Sequence, residues 1–229
     1  MEGTIDQVGR WMDESSAKLH QICTTNPEFV MQAREDTEFL NVLNEADLCL
    51  PDGIGLIYAS RWQKRSLPER VPGSELVYRL AEACAQHGWR LFLLGAAEGV
   101  AAQAAEILQQ KYPALNIVGT WSGSPSPAEN DQIVTKINSS AADILYVAYG
   151  APKQDKWIAR NKNTLPTVKV AIGIGGSLDF ITGRAVRAPR WVQSIGLEWL
   201  HRLILEPWRW RRMLALPKFA LNILFSPQE

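Results

Sequence analysis

Residues 90–121 read RLFLLGAAEGVAAQAAEILQQKYPALNIVGTW. Arg90–Leu94 is a short run of large apolar residues, the pattern of a strand buried on both faces. Gly99–Tyr112 comes next, rich in Ala and Leu, and reads as a helix. Asn116–Trp121 then returns to a strand. Strand, helix and strand in so short a span make a βαβ unit, two parallel strands joined by a right-handed crossover.

The same alternation extends in both directions. His20–Thr25, Asp47–Leu50, Asp143–Ala148 and Val168–Ile172 read as strands. Glu28–Asn44, Gly53–Gln63, Gly73–His87, Ala128–Ser139 and Lys153–Asn161 read as helices, with an opening helix from about Ile5. The expected fold is α/β: a Rossmann-like, mostly parallel sheet with helices on both faces, plus a short helical C-terminal appendage. Beyond Gly183 the strands stop. Trp191–Leu205 reads as helical, and Pro207 and Pro217 are expected to interrupt the helical pattern after it. The division expected is 1–189 for the α/β domain and 190–229 for the appendage.

The net charge is zero, yet residues 184–229 carry eight Lys/Arg against three Glu, while residues 1–183 carry sixteen against twenty-one acidic residues. A basic tail that also holds Trp191, Trp199, Trp208, Trp210, Phe219 and Phe225 points to nucleic acid, anionic lipid or a polyphosphate ligand, or else to a solvated helix face. Three cysteines without CxxC spacing fit unpaired thiols in a reducing compartment. There is no signal peptide and no run of eighteen apolar residues, so no membrane span is expected.

Three glycine turns, at Gly95, Gly150 and Gly173/Gly175/Gly176, each follow a strand and precede a helix. In a parallel sheet such turns share the carboxyl edge, where glycine and a helix amino terminus admit phosphate. Each one alone is equally a plain turn. Asp52, in Leu50-Pro-Asp-Gly-Ile-Gly55, sits at a strand end as either a turn residue or a general base. Asn26, in Thr24-Thr-Asn-Pro-Glu28, either starts a helix or holds a sugar hydroxyl. Arg70 lies in a proline-rich loop and Gln154 at a helix start facing the ligand edge. No D-x-D and no histidine pair at metal-ligand spacing occurs, so neither metal nor cofactor is expected. Two competing readings are an NAD(P)-binding Rossmann oxidoreductase and a non-enzymatic basic module on membrane or nucleic acid. The first lacks G-x-G-x-x-G in its first βα unit.

Taken together, Thr24-x-Asn26-Pro-Glu28, Pro51-Asp-Gly-x-Gly55, Glu69-Arg70-x-x-Gly73, Gly150-x-Pro-Lys-Gln154, Gly173-x-Gly-Gly176 with Asp179, Arg187-Ala-Pro189 and Leu197-Glu-Trp-x-x-Arg202 with Glu206-Pro resemble the WecG/TagA/CpsF glycosyltransferases, family 26. The resemblance runs from about Thr4 to Phe219. It implies an inverting, metal-independent enzyme that moves a sugar from a UDP-sugar to a sugar on undecaprenyl diphosphate, peripheral on the cytoplasmic membrane face. TagA-like members use UDP-N-acetylmannosamine for wall teichoic acid. It implies Asp52 as base with Thr24 beside it, and Asn26, Arg70 and Gln154 lining the site. It places Arg202, Arg209 and Arg212 on an appendage that closes the site at the membrane; the basic, Trp-bearing tail itself is expected to put Trp208, Trp210 and Phe219 into the membrane interface. Nucleic acid is then no partner, and association into a homo-oligomer is left open. Family members usually begin with an extra strand ahead of the opening helix; this sequence opens almost at that helix.

Overall fold

The computed structural model describes residues 1–225 apart from 17, 190–191, 193–196 and 208–209, and omits the side chains at 202 and 211. Six strands form one sheet: β1 (His20–Thr25), β2 (Leu48–Pro51), β3 (Arg90–Gly95), β4 (Asn116–Trp121), β5 (Ile144–Ala148) and β6 (Val170–Gly173). Their order is β2-β1-β6-β5-β3-β4 and every pairing is parallel.

The sheet is wound on both faces because its strands are apolar at consecutive positions. Leu91, Leu93, Ile144, Tyr146, Val170 and Ile172 pack on one side. That side is covered by α1 (Glu2–Asp13), α5 (Gly73–His87), α6 (Val100–Lys111) and α9 (Ser177–Ile181). The alternate residues Phe92, Leu94, Leu145, Val147 and Ala171 pack on the other. There they meet α7 (Pro127–Ser140) and α8 (Lys153–Asn161). A strand of period two with both faces buried requires such a run.

One expected helix is two. The stretch 28–44 divides into α2 (Pro27–Glu35) and α3 (Thr37–Glu45) at Asp36. Asp36 has an extended backbone, and its carboxylate accepts from the Phe39 N–H at 3.0 Å. It caps the second helix and so ends the first.

After α4 (Ile54–Trp62), the remaining helices lie in the tail: α10 (Glu198–Leu205), α11 (Trp210–Met213) and α12 (Ala215–Phe225). Pro217 does not interrupt α12. It sits in that helix's first turn, where its missing N–H would have had no intrahelical partner. Helix α12 packs against α2 and α4. The start of the expected helix at 191 falls partly outside the described residues. Among the described residues, no helix is long and apolar enough to cross a membrane.

Candidate active site

The carboxyl ends of β1, β2, β5 and β6 open into a cleft of about 1240 Å³, roofed by the tail helices. Ligands bind at this edge in open parallel sheets. Asp52 follows β2 directly. Its N–H donates to the Thr25 carbonyl at 2.8 Å, which fixes the turn against β1. Gly73 lies over the same spot and its N–H donates to the Asp52 carboxylate. A side chain at 73 would meet Thr24 at 3.3 Å and the Asp52 carboxylate at 3.5 Å, so glycine keeps the two in reach of the cleft. Burial pushes the Asp52 carboxyl up to about 6. Arg70, the Gly73 N–H and Arg187 pull against it, while Glu198 adds to the rise. A carboxylate so poised is charged near neutral pH yet basic enough to take a proton.

Arg70 reaches the cleft because its loop is strapped to β2. The Val71 N–H donates to the Pro51 carbonyl at 2.9 Å, and Arg70 Nε donates to the Asp52 carbonyl at 2.8 Å. The Thr24 hydroxyl donates to the Gly173 carbonyl at 3.0 Å, tying the end of β1 to β6. Asn26 caps α2: its Oδ1 accepts from the N–H groups of Glu28 and Phe29 at 2.9 and 3.2 Å. Its NH₂ is what remains for a ligand. Gln154 is buried and its Oε1 accepts from Gly150 N–H at 3.1 Å and Gly175 N–H at 2.9 Å. One side chain therefore pins both glycine turns.

The WecG/TagA/CpsF glycosyl transferase family matches residues 1–228 of this sequence. The chain belongs to that glycosyltransferase family. It is similar to two N-acetylglucosaminyldiphosphoundecaprenol N-acetyl-beta-D-mannosaminyltransferases from Bacillus subtilis strain 168 and Bacillus spizizenii, 36% identical to each over 89% of this chain and 78% of theirs. The Staphylococcus aureus MRSA252 protein of the same name is 33% identical over 88% of this chain and 78% of its own. Membership in a WecG/TagA/CpsF glycosyltransferase family displaces both the oxidoreductase and the non-enzymatic module as readings.

In this glycosyltransferase fold, Thr24, Asn26, Asp52, Arg70, Gly150, Gln154, Gly175, Asp179 and Arg212 all border the cleft, while Gly95 and Gly173 do not. Close packing accounts for both glycines. A Cβ at Gly95 would lie 2.9 Å from the Ala148 carbonyl carbon, and one at Gly173 would lie 2.5 Å from Gln154 Nε2. Arg209 lies outside the described residues, as does the side chain of Arg202. Arg212 bonds Glu28 across the cleft at 2.8 Å. Phe219 is buried against α4, 6% exposed, and so cannot enter a membrane interface. Trp208 lies outside the described residues.

Three cleft residues were given no site role by the sequence reading. Glu198, opening α10, reaches Arg70 at 3.3 Å and Arg187 at 3.5 Å, docking the tail beside Asp52. Tyr149 borders the cleft with a buried hydroxyl that has no hydrogen-bond partner among the described residues. Glu28 carries the partner carboxylate for Arg212. All three depend on contacts between residues remote in sequence.

Proposed function

We propose that this glycosyltransferase moves N-acetylmannosamine from its UDP donor to N-acetylglucosamine carried on undecaprenyl diphosphate, with inversion and without a metal. The observation that carries the reading is Asp52 at the floor of the cleft, held by Thr25 and Gly73 and raised to about 6 beside Arg70. The donor and acceptor sugars follow the names of the relatives.

The chemistry is a single displacement. The acceptor hydroxyl oxygen bonds to the anomeric carbon, its proton passes to the Asp52 carboxylate, and the bond from that carbon to the diphosphate oxygen breaks. UDP leaves with the electron pair. Donors aimed at this growing charge, Arg70 and the turns pinned by Gln154, supply what a metal otherwise would. Thr24 holds the strand end under the reacting atoms. Arg202, Arg209 and Arg212 are assigned to the acceptor diphosphate, which for Arg212 requires releasing Glu28.

A lipid-linked acceptor calls for contact with the membrane, on its cytoplasmic face in this reading. Tyr58, Trp62, Ile204, Trp210, Leu221, Leu224 and Phe225 are exposed apolar side chains of α4 and the tail helices. With Lys218 and the tail arginines they fit the boundary between lipid tails and anionic headgroups. The test is UDP binding in EDTA. Ligand at about one hundred times its dissociation constant stabilises by roughly 2.7 kcal/mol, seen as a rise in melting temperature. A shift that requires Mg²⁺ or Mn²⁺ would refute the metal-free step.

A further inference from the structure

Beneath the cleft, Cys23 and Cys49 sit opposite each other on neighbouring parallel strands. Residues in register point to the same face, and adjacent strands run about 4.8 Å apart, inside the Cα separations that disulfides span. The Cys23 thiol faces the Cys49 sulfur, which it favours as a thiolate. Their surroundings differ. Cys49 is exposed on the edge strand β2, and its thiol also donates to the Leu43 carbonyl at 3.3 Å. Cys23 is buried, with Gln21 Nε2 donating to its sulfur at 3.6 Å.

Next to Cys23 lies Asp155, fully buried on α8. Neither of its carboxyl oxygens has a well-formed hydrogen bond. A buried acid with no well-formed hydrogen bond among the described residues is costly and calls for a reason. The displacement proposed above assigns it no step. It stands where a proton leaving Cys23 would go.

We propose that Cys23 and Cys49 are a peroxide-reactive dithiol that closes to a disulfide across β1 and β2, one residue before Thr24 and three before Asp52. The Cys49 thiolate attacks a hydroperoxide oxygen; the S–O bond forms, the O–O bond breaks, and the departing oxygen takes a proton. Cys23 then gives its proton to Asp155 and attacks the Cys49 sulfur. The S–S bond forms, the S–O bond breaks, and the hydroxide leaves as water. Two thiols lose two electrons and the peroxide gains them. The Cys23 thiol beside it lowers the Cys49 pKa, and Cys49 is the exposed one of the pair, so it is the first nucleophile. Burial raises Cys84, the third thiol, and removes it from competition.

The experiment treats the full chain with hydrogen peroxide, blocks remaining thiols with N-ethylmaleimide in denaturant, and maps unreduced peptides by mass. The expected product joins the Cys23 and Cys49 peptides, two hydrogens lighter than the free pair and cleaved by dithiothreitol, with Cys84 alkylated. Cys23→Ser is expected to leave Cys49 as a sulfenic acid trapped by dimedone. Asp155→Asn is expected to slow closure at least ~10-fold and let that sulfenic acid accumulate. Wild-type protein in which both thiols stay alkylatable, or in which Cys49 over-oxidises while Cys23 remains a thiol, overturns the proposal. Unchanged closure in Asp155→Asn removes Asp155 from it. The readout is a cross-link, so it stands or falls separately from sugar transfer.

Discussion

Replacing Asp155 with Asn should change how stability depends on pH. Burial pushes the Asp155 carboxyl up to about 7, against weaker pulls from the Cys23 thiol, its own backbone N–H and the Gln154 amide. In the unfolded chain an aspartate titrates near 3.9. A folded pKa above the unfolded one means that the folded state holds the proton longer. The stability this confers is complete below about pH 4 and is lost as pH rises to about 7. Three pH units give on the order of 4 kcal/mol, more than half of it lost between pH 5 and pH 8. Asn cannot ionise. Urea unfolding of both proteins at pH 5 and pH 8 should therefore show the variant gaining on wild type by roughly 2–3 kcal/mol between the two. The difference of differences cancels any pH-independent packing change. A gain below ~0.5 kcal/mol would mean that the Asp155 carboxylate is solvated or paired, and the reasoning fails. Asp52, raised to about 6, gives the same sign in both proteins and drops out.

Other consequences concern the cleft. The acid limb of kcat/KM should rise with pH through about 6, since only the deprotonated Asp52 accepts a proton. Glu198→Gln removes a carboxylate that raises Asp52, so that limb should move to lower pH, while an unmoved limb would detach Glu198 from Asp52. Gln154→Leu should leave the Gly150 and Gly175 N–H groups without their acceptor, costing about 1–3 kcal/mol in urea unfolding and weakening UDP binding. Unchanged UDP affinity in the folded variant would place the donor phosphate elsewhere.

Much of this was legible in the sequence. All six strands overlap the stretches expected for them; β3, β5 and β6 are near-continuous apolar runs because both their faces are buried. The tail helices were visible as a change of pattern past Gly183. The order of strands was not, because pairing across the sheet is non-local. Asp36 escaped as a break because a lone aspartate inside a helical period reads as a surface charge; only its side-chain bond to Phe39 reveals a cap. The sequence could not separate a ligand role from a packing one at Gly95 and Gly173, because phosphate approach and close packing demand the same absent side chain. Asp155 left one signal: it falls three residues before buried Ile158, on the inner face of its helix.

The central claim is tested most directly by transfer itself. Wild-type protein is incubated in EDTA with UDP-N-acetylmannosamine and an N-acetylglucosaminyl diphospholipid, beside folded Asp52→Asn. The account predicts a lipid-linked disaccharide with inverted anomeric configuration, and a rate lower by ~10²–10⁴-fold in the variant, the usual loss when a general base is removed. No disaccharide from wild type, or an equal rate from Asp52→Asn, would contradict it.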